Sequence, residues 1–137
     1  MLPKNLWNPS FSVGNATLDE QHKVLLGVCY DLMECAKLQG SSGFSRVHEL
    51  LDVLARYTRE HFSTEERILS ACGYAELEQQ KAEHLAYEEE LMRVMFDAMT
   101  NKIDIQEIER FASGWWTGHI LESDMKYKEV ISGAESR

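Results

Sequence analysis

A histidine and a glutamate stand four residues apart at His61 and Glu65, inside the stretch REHFSTEE at residues 59–66. On an α-helix that spacing stacks both side chains on one face. An imidazole and a carboxylate so placed can grip one metal ion, or hold one ion and bridge to a second. Such a pair is common on exposed helices, so its meaning depends on partners elsewhere. The chain offers His22, Gln80 with His84, and His119 with Asp124. Imidazoles with carboxylates suit iron, manganese or zinc. Two carboxylates among four imidazoles suit a two-metal site, because each carboxylate can bridge a pair of ions and offset their charge.

Four helices must position these groups. Apolar residues recur at intervals of three and four in Leu25, Leu26, Cys29, Leu32, Met33 and Ala36, with His22 on the same stripe. The stripe Val47, Leu51, Leu54, Thr58, His61, Glu65, Ile68 and Cys72 defines a second helix stopped by Gly73. It carries the opening pair onto the buried face, where an unpaired carboxylate is expensive. A third helix turns Leu77, Gln80, His84, Tyr87, Leu91, Val94, Met95 and Ala98 inward, with the methionines at 92, 95 and 99 as core filler. A fourth presents Ile108, either Phe111 or Ala112, then Trp115, His119, and either Glu122 or Asp124. His48 falls off its stripe and is expected in solvent.

Boundaries follow from local chemistry. Thr17-Leu-Asp-Glu20 and Asp104-Ile-Gln-Glu107 have the form of capping boxes, and Gln39-Gly-Ser-Ser-Gly43 reads as a turn. The expectation is one domain, 1–137, with an extended arm over 1–16 and helices over about 17–38, 44–72, 76–99 and 104–130. Residues 131–137 show no period and are expected to fray. Short connections make neighbours antiparallel, so the predicted fold class is all-α, an antiparallel up-down-up-down four-helix bundle. In a left-handed bundle the polar groups on the four inner stripes converge on the axis. The only prolines, Pro3 and Pro9, precede the first helix.

The bulk properties exclude several classes. A formal charge of −9 without a basic patch argues against nucleic acid. No apolar run approaches the length of a membrane span, and the first residues lack the pattern of a secretion signal. Three cysteines, Cys29, Cys35 and Cys72, form no CxxC pair and suggest no disulfide framework. A reduced, cytoplasmic setting fits. No feature names a protein partner.

Taken jointly, Leu18-Asp-Glu-Gln-His22, His61-Phe-Ser-Thr-Glu65-Glu, Gly73-Tyr74, Lys81-Ala-Glu-His84 and Trp115-x-x-x-His119-Ile-x-x-x-Asp124 closely resemble the hemerythrin family, as do Trp7 and Ser12-Val-Gly14. The likeness covers the chain from about Trp7 to Tyr127. It implies a bundle with a non-haem centre of two iron ions, oxo- or hydroxo-bridged, that binds O2 reversibly for storage, delivery or sensing. By the resemblance Glu65 and Asp124 bridge the irons, His22 and His61 hold the iron at which O2 lands, and His84 and His119 hold the other.

Two positions depart from the family pattern. Gln80 stands where a further histidine ligand is expected, four residues before His84. The second iron then keeps a weak Gln80 contact, takes water, or is lost; Glu88, one turn beyond His84, is the alternative donor. Trp116 stands where a smaller aliphatic residue commonly lines the O2 pocket, with Ile120 as the other pocket candidate. Trp116 either points inward and narrows that pocket or turns to an interface with the arm. No substrate cleft or general base is evident, so binding is expected over turnover. The alternative is a diiron enzyme or sensor acting on peroxide or nitric oxide through a second iron opened by Gln80. Azide is a further expected ligand.

Overall fold

A computed structural model describes residues 7–37, 41–100 and 104–135. The elements are α1 (Ala16–Ala36), α2 (Ser41–Cys72), α3 (Leu77–Met99) and α4 (Ile105–Gly118), then a π-helical turn (His119–Ser123), a 3-10 turn (Asp124–Tyr127) and α5 (Lys128–Glu135). The fold is a four-helix bundle, in which α2 packs on α1 and α3, and α1 also packs on α4. No strand occurs among the described residues.

The first helix starts earlier than its capping pattern suggests. Asn15, not Thr17, is the N-cap, and its Oδ1 accepts the Leu18 N–H at 3.0 Å. Glu20 pairs instead with Lys23, at 2.9 Å. Asp19 turns back to the arm, accepting the Ser12 hydroxyl at 2.6 Å and the Val13 N–H at 2.9 Å. Asp104 caps α4 as its pattern suggests, accepting the Glu107 N–H at 3.1 Å. Gly73, at φ 68°, ends α2. Its N–H reaches the Ser70 carbonyl at 3.1 Å while the Tyr74 N–H reaches Leu69 at 3.0 Å, which satisfies carbonyls the last turn would leave orphaned. Residues 38–40 of the expected interhelical turn lie outside the described residues; helix is already present at Ser41.

Two apolar clusters sandwich a polar layer. The larger holds Leu25, Leu26, Leu54, Phe62, Tyr87, Leu91, Trp116 and Ile120 among others, and the smaller holds Val13, Leu18, Leu69, Tyr127 and Ile131. Along α1, His22 falls between Leu18 and Leu25; along α2, Glu65 falls between Phe62 and Leu69. The chain's end differs from expectation: α5 continues to Glu135 and buries Ile131 in the smaller cluster. The methionine assignment also needs correction. Met92 and Met99 are exposed, beside exposed Leu85 and Phe96, and only Met95 is half-buried. His48 is exposed, as its position off the stripe implies.

Candidate metal centre

Buried together in the polar layer are His22, His61, Glu65, Gln80, His84, His119 and Asp124. Their donor atoms fall into two groups. In the first, His22 Nε2 and His61 Nε2 lie 3.1 Å apart. Glu65 Oε2 is 3.2 Å from His61 and 3.7 Å from His22, and Asp124 Oδ2 is 3.2 Å from His22. In the second, Glu65 Oε1 is 2.9 Å from His84 Nε2 and 3.8 Å from His119 Nε2, and Asp124 Oδ1 is 2.9 Å from His119 Nε2. Each carboxylate therefore gives one oxygen to each group.

The local helix geometry explains how this is done. His61 and Glu65 are stacked by the ordinary α-helical spacing. His119 and Asp124 are five apart, and on an α-helix of about 3.6 residues per turn five steps would leave them on different faces. The π-helical turn removes that mismatch: the Asp124 N–H bonds to the His119 carbonyl, five residues back, and the side chains come onto one face. An uninterrupted fourth helix, as the periodicity suggests, could not do this. Glu122 is exposed, which resolves the choice in favour of Asp124, and Ala112 rather than Phe111 is buried.

Three rings are aimed from behind. His61 Nδ1 meets Gln21 Oε1 at 2.8 Å, and His84 Nδ1 meets Glu66 Oε2 at 2.7 Å. Both oxygens only accept, so Nδ1 carries the proton and Nε2 keeps its lone pair for the centre. Glu83 Oε2 stands 3.4 Å from His119 Nδ1, a charge contact rather than a hydrogen bond. Tyr127 donates its hydroxyl to Glu65 Oε2 at 2.9 Å. Residue-by-residue reading missed Gln21, Glu66, Glu83 and Tyr127. The first three each adjoin a ligand candidate in a quoted motif, the signal that could have found them; Tyr127 gave none.

Several buried atoms here have no hydrogen-bond partner: Glu65 Oε1, His84 Nε2, His119 Nε2, Asp124 Oδ2 and Gln80 Oε1. Leaving so many polar atoms unsatisfied in one layer is costly, and a cation in each group would satisfy most of them. The sets His22, His61, Glu65, Asp124 and Glu65, His84, His119 each keep their ligand atoms within 4.8 Å of one another. Ligands about 2.1 Å from a shared ion can be about 4 Å apart, so the span fits with small adjustments. The donors are nitrogen and oxygen without thiolate, a set that suits iron, manganese or zinc.

Where no cation competes, protons take that role. Burial pulls His22 down, but the adjacent Asp124 and Glu65 carboxylates outweigh it and push the ring up to about 9. His119 behaves alike: Asp124 above all overcomes burial and raises it to about 10. Burial dominates at His61 and lowers it. Burial would raise Glu65, yet the rings around it, His61 first, hold it well below the usual carboxylate range.

The two departures have definite places. Gln80 is buried and gives its amide N–H to Asp124 Oδ1 at 3.2 Å, leaving Oε1 unpartnered. Glu88 belongs to neither donor group. Trp116 points inward, fully buried, and its indole N–H donates to the Tyr87 hydroxyl at 2.9 Å. Its ring centre is 5.7 Å from that of His61. Trp115 is half-buried and stacks on His119 at 4.3 Å. Ile120 is fully buried.

A helical bundle with this histidine–carboxylate layer defines a class, and comparison with known proteins gives the family. Residues 13–131 match the model of the hemerythrin HHE cation binding domain. A hemerythrin-like protein of Naegleria gruberi is 31% identical over 125 residues, covering 91% of this chain and 92% of that protein. A bacteriohemerythrin of Clostridium acetobutylicum is 27% identical over 125 residues, covering 89% and 97%. The crystal structure of a wild-type hemerythrin superposes with a TM-score of 0.83 at 26% identity, covering 93% of this chain and 97% of that one. The chain belongs to the hemerythrin family, whose members are non-haem diiron proteins that bind O2. No helix among the described residues is long and apolar enough to cross a membrane.

Proposed function

We propose that this protein holds two non-haem iron ions and binds O2 reversibly, in storage, delivery or sensing. His22 and His61 would hold one ion and His84 and His119 the other, with Glu65 and Asp124, each offering an oxygen to both pairs, serving as the shared carboxylates. The observation that carries this reading is the division of each carboxylate: one oxygen of Glu65 lies beside His61 and the other beside His84. Iron bound there supplies a reversible redox couple for O2. The chain's own residues fix the imidazole tautomers, exclude bulk water, and hold the carboxylates through Tyr127 and Gln80. Trp116, whose ring centre is 5.7 Å from that of His61, and the buried Ile120 are the residues we assign to lining the O2 position.

Metal analysis of anaerobically purified protein, with its visible spectrum after O2, tests this. The expected result is about two irons per chain and an oxy form that releases O2 intact under vacuum. One metal per chain, or zinc alone, would sink it.

A second reading, a diiron enzyme or sensor acting on peroxide or nitric oxide, is favoured by Gln80. Position 80 offers an amide, its N–H directed to Asp124, so an ion between His84 and His119 would have two imidazoles and no third. Turnover of either small molecule, abolished by His61→Ala, would support this reading over carriage.

A further inference from the structure

The third helix is apolar on two faces. One carries Leu91, Val94 and Ala98 into the core. The other carries Leu85, Met92, Phe96 and Met99, which are 58%, 70%, 63% and 77% exposed. At about 100° per residue these four fall within about 60° of arc, so they form one stripe along the outside of α3. A helix that is apolar on two sides is expected to be covered on both. Beside the stripe a groove of about 370 Å3 opens between α2 and α3, with Ala55 and Thr58 on one wall and Leu91 and Met95 on the other.

Size and charge indicate what covers this face. Side chains of this bulk present on the order of 200 Å2 each when fully exposed, so the stripe offers roughly 500 Å2. That is near the most a monomer leaves uncovered, and two such faces together reach roughly the 1,000 Å2 that a specific interface needs. The chain carries −9 overall, yet the charged lining of the groove is one Arg59 and one Glu88, which offset each other. A basic partner is steered to the acidic remainder of the surface, whereas a second acidic chain approaches best where charge is balanced. The spacing also fits self-pairing. Leu85 and Met99 lie seven residues to either side of Met92. An antiparallel copy of α3 about a two-fold axis at Met92 therefore sets Leu85 against the copy's Met99 and Met92 against its own mate. The same operation brings Glu89, which has no ion pair among the described residues, alongside the copy's Arg93.

We propose that this face is a homodimer interface, with α3 packed antiparallel on α3 of a second copy of this chain about an axis at Met92. An interface at the small end of the range gives a weak, concentration-dependent dimer.

Sedimentation velocity of the purified protein over a range of concentrations tests this. The expected result is a monomer–dimer equilibrium; a monomer at every concentration overturns the proposal. Met92→Glu and Phe96→Glu should each weaken association about thirtyfold, the size of a hot-spot loss, with helix content by circular dichroism unchanged. A dimer that survives both variants lies on another face and overturns it too. Cross-linking reads the axis without adding charge, and so holds even if the glutamate variants lose helix. Cys29 and Cys35 are buried, so Cys72→Ser supplies the background. Met92→Cys should be linked to a dimer by a short bismaleimide, and Glu78→Cys, at the start of α3, should not. Equal linking at both positions, or linking at Glu78→Cys alone, overturns the axis. A monomer that cosediments with phosphatidylcholine vesicles, and ceases to do so as Phe96→Glu, would assign the face to a lipid surface and overturn the dimer.

Discussion

The His22–His61 half and the His84–His119 half share two carboxylates and have two imidazoles each, yet they are built differently. The first is sealed: His22 and His61 have no exposed surface, and the Trp116 indole, tied to Tyr87, packs over the His61 ring. The second lies beside solvent clefts, with Glu66 and Glu83 reaching its outward ring nitrogens and an amide where a further imidazole is expected. Equal donor sets do not make equal metal sites. Packing behind the ligands sets how near solvent comes to each pair of rings.

The largest expected effect comes from removing what the halves share. Glu65→Ala takes one oxygen from each group, and metal analysis should find both positions depleted; loss confined to one half would break the symmetry of the comparison. Trp116→Ala should come next, destabilising the fold by about 3–5 kcal/mol through the cavity it leaves, as read in denaturant melts. It should also speed azide access to the His22–His61 ion. An unchanged azide rate would mean that Trp116 is not what seals that half.

Gln80→His should raise iron occupancy of the second half and slow autoxidation, making the halves unequal in the opposite sense. Unchanged occupancy would show that position 80 does not limit metal retention. Protons sharpen the comparison too. His22, raised from 6.5 to about 9, and His119, raised from 6.5 to about 10, each stabilise the metal-free fold through their charged forms. That contribution is complete below about pH 6.5 and is lost as pH rises through about 9 to 10. Thermal melts of the metal-free protein should show a falling midpoint across this window, and the iron-loaded protein should not follow it. The smallest effect is expected for Tyr127→Phe, which deletes one hydrogen bond to Glu65 and should cost about 1 kcal/mol in a chemical melt.

What the sequence determined by itself was the pattern: four amphipathic stripes, the His61–Glu65 stacking, and the interruption of each stripe by groups too polar to bury without partners. Those features depend on local periodicity, which the chain states directly. Tertiary structure decided the rest. Whether Glu122 or Asp124 faces the core turned on a π-helical turn, and whether Phe111 or Ala112 does turned on how α4 packs, neither of which its composition states. The direction of Trp116 depended on a hydroxyl supplied by α3, and the orientation of His61 on an amide supplied by α1. That surface clefts reach the outward sides of His84 and His119 depends on neighbouring helices, so no single stretch could have announced it. REHFSTEE provides the grip; the other helices decide which groups share it.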